Sequence, residues 1–142
     1  MSLETLCRRE IACVDIKTKV IEATQLMEEK NVGSVVVIQN DRPVGIVTDR
    51  DVVIRVVNKG LDPAKCPVAD IMSLELVTLN QGTGLYEALE QIKESGNSVR
   101  RFPIVDDHGA IKGIITLDDV IYLLGREMSD VAEIIESERP RL

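Results

Sequence analysis

Two seven-residue stretches carry the side chains best suited to holding a small polar ligand. They are Gly45-Ile46-Val47-Thr48-Asp49-Arg50-Asp51 and Gly113-Ile114-Ile115-Thr116-Leu117-Asp118-Asp119. Each runs from a glycine and an apolar pair to a threonine, with a carboxylate three residues later. Taken singly, Thr-x-x-Asp before an apolar run is a helix capping box, in which the hydroxyl accepts from free amides and the carboxylate bonds back. The apolar pair in front, however, puts each threonine at the end of a strand. A strand end feeding a helix N-terminus is where backbone amides collect around an anion. Arg100-Arg101, just ahead of the apolar run Phe102–Val105, would emerge at the same edge.

These groups divide the chemistry of a nucleotide between them. A carboxylate repels phosphate, so Asp51 and Asp119 suit a vicinal diol such as ribose. Threonine hydroxyls, helix-start amides and the Arg101 guanidinium suit phosphate oxygens. Val77 and Leu79, or Val99 and Ile114, could sandwich a flat base, and they serve equally well as ordinary core. Nothing in the sequence resembles a nucleophile–base pair or a metal set. His108 is the single histidine, and Cys7, Cys13 and Cys66 show no CxxC spacing, which favours reduced thiols. The net charge of −7 argues against a broad nucleic-acid face. No apolar signal core or run of transmembrane length is present, so the expectation is a soluble, cytoplasmic protein with no membrane contact.

The elements that position these residues occur twice. Glu22-Ala23 lies over Glu87-Ala88 at an offset of 65, Val35–Ile38 over Phe102–Val105 at 67, and Gly45 over Gly113 at 68. Each copy reads as a short strand (about 13–16; 76–79), an amphipathic helix (18–31; 83–96), two strands (34–39 and 43–48; 101–106 and 110–116) and a closing helix. The fold class is therefore α/β (α+β), a tandem β-α-β-β-α repeat with pseudo-twofold symmetry and two related clefts. The expected division is 1–60 for the first repeat, 61–73 for a linker, 74–128 for the second repeat, and 129–142 for a C-terminal helix and tail. With one Phe, two Tyr and no Trp, the core must be aliphatic.

The paired Gly-apolar-apolar-Thr-x-x-Asp units, each behind the expected helix and hairpin, resemble the cystathionine-β-synthase (CBS) domain pair, also called a Bateman module. Val68–Met72, "VADIM", resembles the family's lead-in to a repeat, whereas "LCRREIACVD" before the first repeat departs from it. The resemblance spans about residues 10–127. It implies a non-catalytic module for AMP, ADP or ATP, with S-adenosylmethionine as an alternative, in a homodimer of four repeats that signals to an effector protein. It also implies ligand positions in the second repeat at Val77, Thr78 and Leu79; Val99, Arg100, Arg101 and Phe102; and Ile114, Thr116, Asp118 and Asp119. In the first repeat the corresponding positions are Val14, Asp15 and Ile16; Gly33 and Ser34; and Ile46, Thr48, Asp49 and Asp51. Ser34 stands where the second repeat has Arg101, so the second cleft is expected to be the tighter site. Competing readings are an interaction module with vestigial clefts, and a nucleotide hydrolase using carboxylates at 106–107 and 118–119 to hold magnesium.

Overall fold

A computed structural model describes residues 2–96 and 100–140. In the first half, α1 (Leu3–Leu6) is followed by β1 (Cys13–Asp15), α2 (Val20–Lys30), β2 (Ser34–Gln39), β3 (Arg42–Thr48) and α3 (Asp49–Val52), which continues as a wider π turn over Val53–Val57. A 3-10 turn at Val68–Asp70 precedes β4 (Leu79–Asn80), α4 (Leu85–Ser95), β5 (Arg101–Val105), β6 (Ile111–Thr116) and α5 (Leu117–Ser137). The strands form two three-stranded sheets, ordered β1-β2-β3 and β4-β5-β6. In each, the middle strand is parallel to the first and antiparallel to its hairpin partner. The tandem repeat expected from the sequence is present.

The two halves differ at one proline. In the first sheet the Val36 amide donates to Ala12 O at 2.9 Å. Pro103 holds the equivalent place in β5 and has no amide hydrogen. Parallel pairing therefore begins only at Leu79↔Ile104, and β4 starts later than the expected 76–79. Pro103 also sits in a middle strand, fully buried, and not at an edge or first turn. The chain tolerates its missing donor because β4 does not pair with β5 at this position.

Amphipathic spacing decides what the helices bury. α2 turns Val20, Ala23 and Met27 inward, at i, i+3 and i+7, and its end is closed by Asn31 in a left-handed conformation (φ 52°). α4 buries Ala88, with Leu85, Leu89 and Ile92 packed beside it, and ends at Gly96 (φ 66°).

The buried residues form two clusters, one per repeat, and each is completed by a segment from elsewhere in the chain. Cys66, Val68 and Ile71, from the stretch between the repeats, belong to the core of the first repeat. Leu3, with Leu6 and Cys7 packed against it, belongs to the core of the second. The two exchanges are equivalent. Lys19 bridges Pro67 as Gly84 bridges Ser2, and Ile46 bridges Ser73 as Ile114 bridges Arg8. A repeat of this size has too little core of its own, and the exchange supplies the missing apolar layer.

The glycines that open the two motifs make this exchange possible. A β-carbon on Gly113 would lie 2.5 Å from Cys7 Sγ and 2.9 Å from Arg8 O. One on Gly45 would lie 2.5 Å from Met72 Sδ. Only the bare backbone lets the incoming segment pair with β3 or β6.

Candidate functional site

Both Thr-x-x-Asp units are complete capping boxes. Thr48 Oγ1 accepts from the Asp51 amide at 3.1 Å while Asp51 Oδ2 accepts from the Thr48 amide at 2.9 Å. Thr116 and Asp119 repeat this at 3.1 and 3.0 Å. Because each hydroxyl oxygen already accepts an amide, its own hydrogen is left to donate outward. The helix-start amides do not serve the anion-binding role expected of them at the first unit. The Asp49 amide donates to Gly33 O at 2.9 Å, the Arg50 amide to Asp49 Oδ1 at 2.8 Å, and the Asp51 amide to Thr48. At the second unit the Leu117 amide donates to Arg100 O at 3.0 Å. The polar donors that remain facing the two clefts are guanidinium and hydroxyl groups.

Two clefts flank these units. The first, about 220 Å³, is walled by Ile46, Thr48 and Asp51 from β3–α3, Ser73 and Glu75 from the stretch before β4, and Arg100 and Arg101 at the start of β5. The second, about 250 Å³, is walled by Ile114, Thr116 and Asp118, by Val32, Gly33, Ser34 and Arg101, and by Arg8, Glu10, Ile11 and Ala12 of the N-terminal segment. The two walls correspond nearly residue for residue: Ile46 to Ile114, Thr48 to Thr116, Ser73 to Arg8, Glu75 to Glu10, and Arg100-Arg101 to Gly33-Ser34. Each cleft is thus assembled across the repeats.

This placement changes the expected asymmetry. The arginine pair faces the Thr48–Asp51 unit, so the cleft expected to lack a guanidinium has two. Arg101, half-buried, lines both cavities and makes no side-chain hydrogen bond or ion pair among the described residues. Arg100 reaches Asp118 at 3.2 Å. Asp51 Oδ1 is unclaimed among the described residues, whereas Asp119 Oδ1 is bonded to Arg8 Nη2 at 2.5 Å.

Of the residues expected to contact a ligand, Ile46, Thr48, Asp51, Arg100 and Arg101 meet at the first cleft, and Gly33, Ser34, Arg101, Ile114, Thr116 and Asp118 at the second. Asp119 lies behind Arg8, in a neighbouring hollow with Tyr122. Val14, Leu79 and Phe102 are buried in the cores, and Ile16 and Val77 pack against them. Asp15 Oδ1 accepts from the Lys17 amide in a turn, Thr78 is exposed outside both clefts, and Asp49 is turned to its own helix start. Val99 lies outside the described residues. The sequence reading missed Arg8, Glu10, Ser73 and Glu75. Laying Ser2–Glu10 over Pro67–Glu75, at the offset of 65 already seen in the helices, would have found them.

The CBS domain model matches residues 3–58 and 68–126, so each matched repeat starts in one of the exchanged segments. The chain belongs to the CBS domain family. It is 33% identical over 119 residues to the CBS domain-containing protein YhcV of Bacillus subtilis, covering 84% of this chain and 82% of that one. It is 35% identical over 122 residues to an uncharacterized protein of Methanopyrus kandleri, covering 85% of this chain but spanning only 61% of that relative. A CBS domain protein from Pyrobaculum aerophilum, solved in complex with AMP, shares the fold with a TM-score of 0.70 at 21% identity, over 84% of this chain and 89% of that one. In this CBS pair, burial pushes the Cys7, Cys13 and Cys66 thiols up from their ordinary value. Among the described residues, no helix is long and apolar enough to cross a membrane.

Proposed function

We propose that this CBS pair is a non-catalytic regulatory module that binds an adenine nucleotide, AMP first and ADP or ATP as longer variants, at the Thr48–Asp51 cleft. The observation that carries the reading is the pairing of an unclaimed carboxylate oxygen on Asp51 with the unpartnered Arg101 guanidinium across one cavity. A ribose hydroxyl donates to the first, and a phosphate accepts from the second, from the Thr48 hydroxyl and from Ser73. The AMP complex of the Pyrobaculum aerophilum relative lends the ligand its class. The hydrolase reading is weaker because its carboxylates are spent. Asp106 accepts from two turn amides, Asp107 from Asn80 Nδ2 at 2.9 Å, Asp118 from Arg100 and Asp119 from Arg8. The module acts as a homodimer and passes its state to an effector protein.

Thermal-shift titration with AMP, ADP, ATP and S-adenosylmethionine, together with mass spectrometry of the natively purified protein, tests this. A bound nucleotide at 100 times its dissociation constant adds about 2.7 kcal/mol to stability. No shift with any of the three nucleotides, and none retained on purification, would sink the proposal. A shift with S-adenosylmethionine alone would redirect it to that ligand.

A further inference from the structure

The two clefts share their capping box, their apolar floor residue (Ile46 or Ile114) and their acidic rim residue (Glu75 or Glu10). They differ at the start of the middle strand, where the first has Arg100-Arg101 and the second Gly33-Ser34, and in the exchanged segment, where the first has Ser73 and the second Arg8. Ser73 leaves Asp51 facing its cavity. Arg8 reaches across 111 residues of sequence to Asp119 Oδ1. Asp119 consequently does not line the second cavity, and Arg8 and Asp118 stand there in its place. We infer that Arg8 is an internal plug on the second cleft, holding the diol acceptor of that cleft so that a nucleotide prefers the first cleft. This rests on the nucleotide reading of the clefts.

The chemistry favours the plug over a ribose. A guanidinium–carboxylate bond is charge-assisted and stronger than a neutral hydroxyl donated to the same oxygen. Arg8 is also covalently attached, and its backbone is clamped by two bonds to Ile114, at 2.9 and 3.0 Å, so its effective concentration at Asp119 is high. The carboxylate is mostly shielded (18% exposed) while the arginine is largely in water (67%), which limits the strength of the plug. Its removal should raise affinity at the second cleft about twofold to fivefold.

Calorimetric titration with AMP, on the wild-type chain and on Arg8→Ser, reads this directly. The substitution places in the second cleft the residue that the first one carries, and the backbone clamp does not need the side chain. Both chains should take a first AMP with the same affinity. The second AMP should bind Arg8→Ser about twofold to fivefold more tightly than it binds the wild type, with no difference overturning the plug. Arg8→Ser combined with Asp51→Asn should keep the tightened second site while weakening the first one, which shows that the variant is folded. Two AMP of similar affinity on the wild type would overturn the plug and make Arg8 a ligand residue. So would a single AMP on Arg8→Ser. No AMP on any variant would instead remove the nucleotide reading, and the plug with it.

Discussion

Asp51 and Asp119 are the same residue in the same capping box, yet their second carboxylate oxygens face different things. One faces a cavity, and the other faces Arg8. Asp51→Asn should therefore weaken AMP by roughly tenfold to a hundredfold, since a hydrogen bond to a charged group is worth about 1.5–3 kcal/mol. The asparagine oxygen can still accept from the Thr48 amide, so the melting temperature should scarcely move. Asp119→Asn should leave the affinity of the tight site unchanged. Titration calorimetry beside thermal unfolding distinguishes these outcomes, and equal losses from the two substitutions would contradict the assignment. The capping boxes were legible in the sequence because their partners lie three residues apart and depend on nothing else. The Arg8–Asp119 bond was not, because its register is set by a segment that folds onto the other repeat. For the same reason Arg101 was legible beside Thr116, but its place on the Thr48–Asp51 cleft as well was not.

At the scale of elements, the hairpins, helices and repeat were readable from periodicity, while the exchange of lead-in segments was not. Its signals are two glycines that look like motif residues and act as gaps. Gly113→Ala should destabilise the fold by about 1–3 kcal/mol, the usual cost of overpacking. The nearest obstacles are Cys7 Sγ at 2.5 Å and the backbone oxygen of Arg8 at 2.9 Å, and the second cannot rotate away. Gly45→Ala should cost less, since its closest obstacle is the flexible end of Met72. Urea unfolding of both variants gives the order, and an unchanged midpoint for Gly113→Ala would mean that the segment is not seated as described. The β5–β6 turn makes a separate prediction. Burial alone would raise the Asp106 carboxyl, but amide bonds from Ala110 and His108 and the nearby Lys112 outweigh it and hold the group below its ordinary value of 3.8. A carboxylate depressed in the folded state contributes stability above that ordinary value and loses it as the pH falls through the depressed one. Asp106→Asn should thus unfold more readily than the wild type at neutral pH and converge with it in acid, as measured by denaturant midpoints across pH.

For the whole molecule, the unresolved question is what covers the outer face of the two closing helices. Val53 and Ile54 on the first correspond, at the offset of 68, to Ile121 and Tyr122 on the second, and all four are exposed. A face that repeats itself about a pseudo-twofold is suited to an isologous contact with a second copy. α5 strengthens the case. Its 21 residues bury only Val120, so most of its length packs on nothing within the chain. A helix stands poorly in water without such packing. Along its exposed side Ile121, Leu124, Met128, Val131 and Ile135 recur at alternating spacings of three and four, the seam of a helix that lies along another. The sequence places a C-terminal helix and tail at 129–142, apart from the helix that closes the second repeat. The helix instead runs unbroken through Ser137. Replacing Ile121 and Val53 with glutamate adds charge to a face on a chain already at −7, and should convert a dimer to a monomer in sedimentation equilibrium. Ending the chain after Glu127 removes the distal seam alone. It should weaken the dimer and reduce helicity by more than the deleted residues account for, while AMP binding at the first cleft persists, because none of the residues around that cleft lies in α5. A wild-type chain that sediments as a monomer at every concentration would remove the second copy as the occupant of this face.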